Sequence, residues 1–264
     1  MTELRQEMVR YSRRLHAAGW VANHDGNLSA RLRPGRFLCT PTATSKAEVD
    51  LATLLEVDDG GKRVAGISKP FGEIGLHLTV YRNRAEVAAV IHAHPPHATA
   101  LACSGANLIE RPFIAEAVVS LGAWIPRVPF AAPGPAACEA LAGVVGKVDA
   151  ALLGGHGVIA WGATLEQAYL RMELVEHLAR IAVLAQAVGG VKALPEGAMA
   201  ALLEARAKAG LGAASPLTLT KTVVACAPAP HADVQTVPPG GEKSELAKII
   251  GEEIARALRT HGRD

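Results

Sequence analysis

The sequence predicts an α/β domain with helices on both faces of a central sheet, and a short amphipathic helix tethered behind it. Three observations carry this. Segments with apolar residues at helical spacing alternate with Val- and Ile-rich runs that read as strands. Aromatic residues make up 4% of the chain while alanine is abundant, which suits helices packed through small aliphatic side chains. Near residue 225 the periodicity stops in a Pro/Gly-rich stretch.

The elements follow in order. Leu4, Met8, Tyr11 and Leu15 fall at helical spacing, so residues 3–19 read as a helix that Gly19 ends. "DGNLSARL" is a turn and a short strand, and "GRFLCTPT" is its hairpin partner. "KAEVDLATLLEVD" reads as a short helix running into a strand. "SKPFGEIGLHLTVYRNR" predicts a helix starting just after Pro70, and "AEVAAVIHAH" a buried strand. "DAALLGGHGVIAWG" reads as strand, tight turn, strand. From Thr164 to about Val188 runs the clearest helix. Thr164 and Gln167 form a capping box at its start, and Gly189 and Gly190 stop it. Residues 225–243 form a linker. In residues 244–264, Leu246, Ile249, Ile250, Ile254, Ala257 and Leu258 make the apolar face of a helix that Ser244 can cap.

A net charge of +2 gives no electrostatic basis for binding nucleic acid or a membrane surface. The N-terminus is charged and helical in pattern rather than a signal peptide, and no apolar run approaches the roughly 20 residues of a membrane span. Cys39, Cys103, Cys138 and Cys226 are scattered without a C-x-x-C pair, which fits free thiols in a reducing, cytoplasmic setting.

The chemistry centres on "VIHAHPPH". Residues i and i+2 of a strand share a face, so His92 and His94 present two imidazoles side by side, either as metal ligands or as strand residues bonding to backbone. A catalytic metal site usually needs a third protein ligand, and His156, flanked by glycines, is the better candidate. His97 reads as a solvent-facing bystander beyond the prolines. Glu73 lies one helical turn before His77; it suits a general acid/base near a metal, or a first-turn carboxylate favoured by the helix dipole. "GNLS" (26–29) and "TPTATSK" (40–46) are turns whose amides and hydroxyls can cradle an anion.

In this order, "GNLS", "TPTATSK", "KPFGE", "VIHAHP" and "LGGHGVIAWG" resemble the class II aldolase/adducin family, the group around L-fuculose-1-phosphate aldolase, over about residues 4–210. The resemblance implies a three-layer α/β/α domain (residues 1–224) around a mostly antiparallel sheet. It implies a divalent metal on His92, His94 and His156: zinc first, with Mn2+, Co2+ or Fe2+ as alternatives. Glu73 becomes the acid/base, touching the metal at rest, and Gly26, Asn27, Thr42, Ala43, Phe71 and Gly72 the substrate and phosphate site. The implied reaction is cleavage of a ketose 1-phosphate of the fuculose or rhamnulose type to dihydroxyacetone phosphate and lactaldehyde, through an enediolate. The alternatives are a decarboxylase of a hydroxy-aromatic or keto acid, a pentulose-phosphate 4-epimerase, and, against the intact ligands, a non-enzymatic adducin-like scaffold.

Three departures bear on this. Phe71-Gly72 replaces the family's Ser-Ser, Ala43 replaces a turn glycine, and the family tyrosine that protonates the leaving alkoxide has no match, "RPFIAEAVVSLG" offering only Glu116. Ser45, Lys46 and Lys69 are further candidates for holding a phosphate. The family is usually tetrameric, which implies a homotetramer. The tail resembles an encapsulation peptide, implying a microcompartment shell protein as partner through residues 244–260.

Overall fold

A computed structural model of the protein describes residues 2–212; the 225–243 linker and the 244–264 helix lie outside the described residues. Helix α1 (Thr2–Ala17) buries Met8, Tyr11 and Leu15, the stripe its spacing predicts. Strands β1 (Asn27–Arg33) and β2 (Arg36–Cys39) form the expected hairpin, with Ala30 opposite Leu38. β3 (Leu55–Val57) and β4 (Arg63–Ala65) extend it. Helix α2 (Ile74–Asn83) precedes β5 (Ala89–Ala93), and α3 (Pro96–Cys103) follows it. Then come α4 (Ala115–Leu121), β6 (Arg127–Val128), α5 (Pro135–Val145), β7 (Ala150–Leu153), β8 (Gly157–Gly162), α6 (Leu165–Ala185) and α7 (Glu196–Lys208).

The eight strands form one sheet in the order β4-β3-β2-β1-β5-β8-β7-β6. Every pairing is antiparallel except β6–β7. The period-2 alternation of each strand divides the core. Leu28, Ala30, Ile91, Ala160 and their neighbours pack on α1, α3 and α6 on one face. Phe37, Val90, Ile159 and Trp161 pack on α2 and α5 on the other. The α/β/α layering is therefore present, with β5 central and buried along its length.

Two expectations change. Residues 46–53 are turns rather than a helix. The Asp50 carboxylate accepts from the amides of Ala52 and Thr53, both at 2.9 Å, an alternative to helical bonding that Asp readily offers. Helix α2 begins at Ile74, with Glu73 as its N-cap at φ −90° and ψ 10°, so Glu73 sits at the helix mouth rather than within the first turn. The Thr164 half of the α6 capping box is present, and the Gln167 half reaches one residue further back. Thr164 Oγ1 accepts from the Gln167 amide at 3.0 Å, and the Gln167 side chain accepts from the Ala163 amide at 2.8 Å.

The far end of the sheet is tied by one buried carboxylate. Asp149, at the start of β7 and 1% exposed, meets Arg84 and Arg171, each at 2.9 Å, and Arg206. These guanidiniums also cap carbonyls: Arg84 at Val145 and Val148, Arg171 at Trp161, Arg206 at Val119. The cluster thus joins α6, α7 and the chain after α2. Replacing Asp149 by Asn keeps the shape but leaves Arg171 and Arg206 without a counter-charge, while Arg84 retains Glu86 at 2.5 Å. We expect a loss of about 2–3 kcal/mol, or roughly 5–10 °C in Tm, measured by thermal melting.

Candidate metal centre

His92 is the fourth residue of β5 and lies directly opposite Asn27 of β1 and Ile159 of β8. Its Nδ1–H donates to the Val158 carbonyl at 2.8 Å, which leaves the Nε2 lone pair facing away from the backbone. Burial pushes this imidazole down to about 4, against the attraction of Glu73, so at neutral pH it is an uncharged acceptor. His94, two residues on, brings its Nε2 within 3.1 Å of His92 Nε2. Burial lowers His94 as well. That approach depends on Gly157, because a Cβ there would stand 2.5 Å from the His94 ring and 2.7 Å from the Ala93 carbonyl oxygen.

His156 occupies the turn between β7 and β8, where Gly155 takes φ +66° and the His156 amide donates to the Leu153 carbonyl at 3.0 Å. The turn projects the ring back over β5. One ligand atom from each of His92, His94 and His156 then lies within 4.8 Å of the others. His156 Nε2 is 2.9 Å from Glu73 Oε1, and this hydrogen bond raises the imidazole's pKa although burial opposes it. Glu73 Oε2 accepts from Asn27 Nδ2 at 2.8 Å and lies 3.5 Å from His92 Nε2. Burial works against the Glu73 charge, but the bonds from His156 and Asn27 and the pull of His92 hold the carboxyl well below its ordinary range.

The donor set fits a divalent cation. A tetrahedral ion with nitrogen ligands at about 2.0–2.1 Å holds neighbouring nitrogens roughly 3.3 Å apart. The separation of 3.1 Å between the two Nε2 atoms is close to this. Facing lone pairs at that distance repel unless a cation or proton lies between them.

Of the anion-site candidates, Asn27 is bonded to Glu73, and the 40–46 turn is linked to the segment before Glu73. The Thr42 amide donates to the Lys69 carbonyl at 3.1 Å, joining the 40–46 turn to the segment leading to Glu73. Thr42, Ala43, Lys69 and Gly72 are exposed, while Asn27 is buried with its Oδ1 unpaired. Lys46 is 1% exposed and its ammonium donates to the carbonyls of Thr44 at 2.8 Å and His24 at 3.2 Å; burial pushes it down to about 8. It ties loops together rather than facing a ligand. The Phe71 ring is in the core, 4.9 Å from the His77 ring, so only its backbone is available to the site. Burial pushes His77 down to about 3; its Nδ1 is bonded to Ser29 Oγ at 2.7 Å, and Ser29 Oγ also contacts Tyr81 Oη at 2.9 Å. This network fastens α2 to β1 and so fixes where Glu73 stands.

His97 is not a ligand, but neither does it simply face solvent. Its Nδ1 lies 2.7 Å from Glu176 of α6, whose carboxylate also caps the amides of His97 and Ala98 at the start of α3. Glu116 is exposed in the first turn of α4. Sequence reasoning passed over Asp25, 3.5 Å from His94 Nδ1; its only signal was its place beside Gly26.

Ala43 takes a left-handed conformation, at φ +53°, which glycine adopts without steric cost. A Cβ is disfavoured there by roughly 1 kcal/mol. Ala43→Gly is expected to raise stability by about 0.5–1 kcal/mol, read as a Tm higher by roughly 1–4 °C.

A family model described as Class II Aldolase and Adducin N-terminal domain matches residues 6–183, which contain every histidine and carboxylate of the centre. The chain belongs to the class II aldolase/adducin family. It is 35% identical over 181 residues to the 3-oxo-tetronate 4-phosphate decarboxylase of Pectobacterium atrosepticum, covering 67% of this chain and 82% of that one. The crystal structure of YgbL from Escherichia coli superposes with a TM-score of 0.70 at 31% identity, over 76% of this chain and 97% of that one. An L-fuculose 1-phosphate aldolase superposes with a TM-score of 0.70 at 26% identity, over 77% of this chain and 96% of the other. As a class II aldolase relative the chain is an enzyme, a lyase of a typically metal-dependent family. No helix among the described residues is long and apolar enough to cross a membrane.

Proposed function

We propose that this enzyme decarboxylates a phosphorylated 3-oxo sugar acid of the 3-oxo-tetronate 4-phosphate type, with a divalent ion, zinc first, on His92, His94 and His156. This is the keto-acid decarboxylase alternative, and it displaces fuculose or rhamnulose 1-phosphate cleavage as the leading reading. The likeness to a decarboxylase of that substrate supports it. The observation that carries it is the placement of the tyrosines. The chain has three, and Tyr11, Tyr81 and Tyr169 are at most 4% exposed, within the core of their own subunit. Neither this chain nor a second copy has a surface tyrosine to protonate a leaving alkoxide.

The chemistry explains why that absence matters. In a 3-oxo acid the C1–C2 bond breaks, carbon dioxide leaves, and the electron pair moves onto the C3 carbonyl oxygen. Carbon dioxide leaves with no proton to transfer at its oxygens, whereas in an aldol cleavage the hydroxyl that becomes the aldehyde must give up its proton as the bond breaks, and in the reverse direction the alkoxide must receive one. For the 4-phosphate substrate, protonation at C2 yields dihydroxyacetone phosphate, the same product half that a ketose 1-phosphate aldolase makes. A divalent ion supplies electrophilic stabilisation of the negative charge on the substrate oxygens. Asn27 orients Glu73, which carries the proton from solvent to C2. The exposed 42–43 and 72 segments, with Asn27 Oδ1, line the place for the phosphate end.

The test is to give the purified, zinc-loaded full chain a 3-oxo-tetronate 4-phosphate and, separately, fuculose and rhamnulose 1-phosphates. Carbon dioxide and dihydroxyacetone phosphate from the first are expected. Aldehyde from a ketose phosphate without carbon dioxide from the keto acid would overturn the reading. A homotetramer, a cytoplasmic setting and shell targeting by residues 244–260 are further proposals. Targeting rests on the tail's amphipathic pattern alone. Removing residues 228–264 is expected to leave turnover unchanged and abolish co-purification with shell protein.

A further inference from the structure

The turn before β1 presents a carboxylate to the outer side of the metal centre. Asp25 Oδ2 lies 3.5 Å from His94 Nδ1, on the ring nitrogen opposite the Nε2 that faces His92. The chain builds this turn at some cost. Asn23 takes φ +50°, Gly26 takes φ +69°, and the Asp25 amide donates to the Ala22 carbonyl at 2.9 Å. A Cβ on Gly26 would stand 2.5 Å from Val21 Cγ1 and 3.0 Å from the His92 carbonyl oxygen, so glycine alone lets the turn seat against β5. From below, the buried Lys46 ammonium grips the His24 carbonyl at 3.2 Å, next to Asp25. A buried cation held on backbone carbonyls is expensive, and its effect here is to fix this turn. The His94 amide donates to the Trp20 carbonyl at 2.8 Å, which locks the two segments together.

We propose that Asp25 is a positioning residue of the metal centre, accepting the Nδ1–H of His94 so that the Nε2 lone pair points at the site. His92 already has such a partner in the Val158 carbonyl; Asp25 gives His94 the same constraint. A carboxylate behind a ligating imidazole fixes its tautomer and orientation and makes the ring more basic, and loss of such a partner typically weakens metal binding roughly 10–100-fold. The inference rests on the metal reading above.

The test uses the full chain and zinc itself, with affinity measured by competition against a chromophoric chelator and ligand geometry read from the absorption bands of the cobalt-substituted protein. Asp25→Asn is expected to bind zinc roughly 10–100-fold more weakly and to shift the cobalt bands, with the metal-free Tm unchanged. Asp25→Glu is expected to recover most of the affinity. Wild-type zinc affinity and cobalt spectrum in Asp25→Asn would overturn the assignment. If that variant fails to fold, Asp25→Ser is carried through the same titration with the same criteria. A wild type that takes up no zinc overturns the metal reading and this inference with it, whereas a wild type that binds zinc but releases no carbon dioxide overturns only the choice of substrate.

Discussion

Replacing His156 by alanine is expected to abolish stoichiometric metal binding and to lower turnover on the order of 10³-fold or more. Several kcal/mol of charge stabilisation depend on the ion, and each 1.36 kcal/mol is a factor of ten in rate. His156 is the right residue for this experiment. It stands in a turn, 36% exposed, meets Glu73, His92 and His94, and is in neither core cluster, so its loss leaves the core intact. His92 is fully buried and bonded to Val158, so its replacement would mix a folding effect with loss of a ligand. Metal content by elemental analysis is the direct readout, with the Tm of the metal-free protein as control. Full metal content and turnover in His156→Ala would rule out the three-histidine centre.

Glu73→Gln is expected to keep the metal and lose activity by roughly 10²–10⁴-fold, the usual contribution of a positioned acid or base. The amide is nearly isosteric and its oxygen can keep Asn27 as a partner, so substrate affinity and Tm should change little. The loss should fall on kcat rather than KM, because proton delivery to C2 is made only in the transition state. With the 3-oxo acid substrate, carbon dioxide release and proton uptake can be followed separately. A variant that still releases carbon dioxide but protonates the product slowly would place Glu73 in the second half of the reaction. Unchanged kcat would remove Glu73 from the proton path.

Much of this was legible in the chain because it depends on local geometry. Period 2 put His92 and His94 on one face, and the Gly-Gly-His-Gly run marked a turn able to hold His156. The stripe of α1 and the cap of α6 are contacts between near neighbours, which spacing records directly. Helices α3, α4, α5 and α7 escaped notice. α3 and α5 open on prolines with no side-chain cap, and α4 is only seven residues long. The "KAEVDLATLL" segment misled because its composition is helical while Asp50 spends its hydrogen bonds on the turn.

Residue type and period in the sequence by themselves determined the alternating layers and the shared face of His92 and His94; His156 as third ligand and the role of Glu73 came from the resemblance to the family. Only the tertiary structure decided what each candidate does. It turned Phe71 and His77 inward, put Lys46 under a loop, paired His97 with Glu176 and brought Asp25 behind His94. It also buried all three tyrosines, which moved the reading from aldol cleavage to decarboxylation. The reason is that these roles rest on contacts between residues tens of positions apart. Such contacts exist only once β1, β5 and β8 are in register, and that register pairs strands some 60 residues apart in the chain.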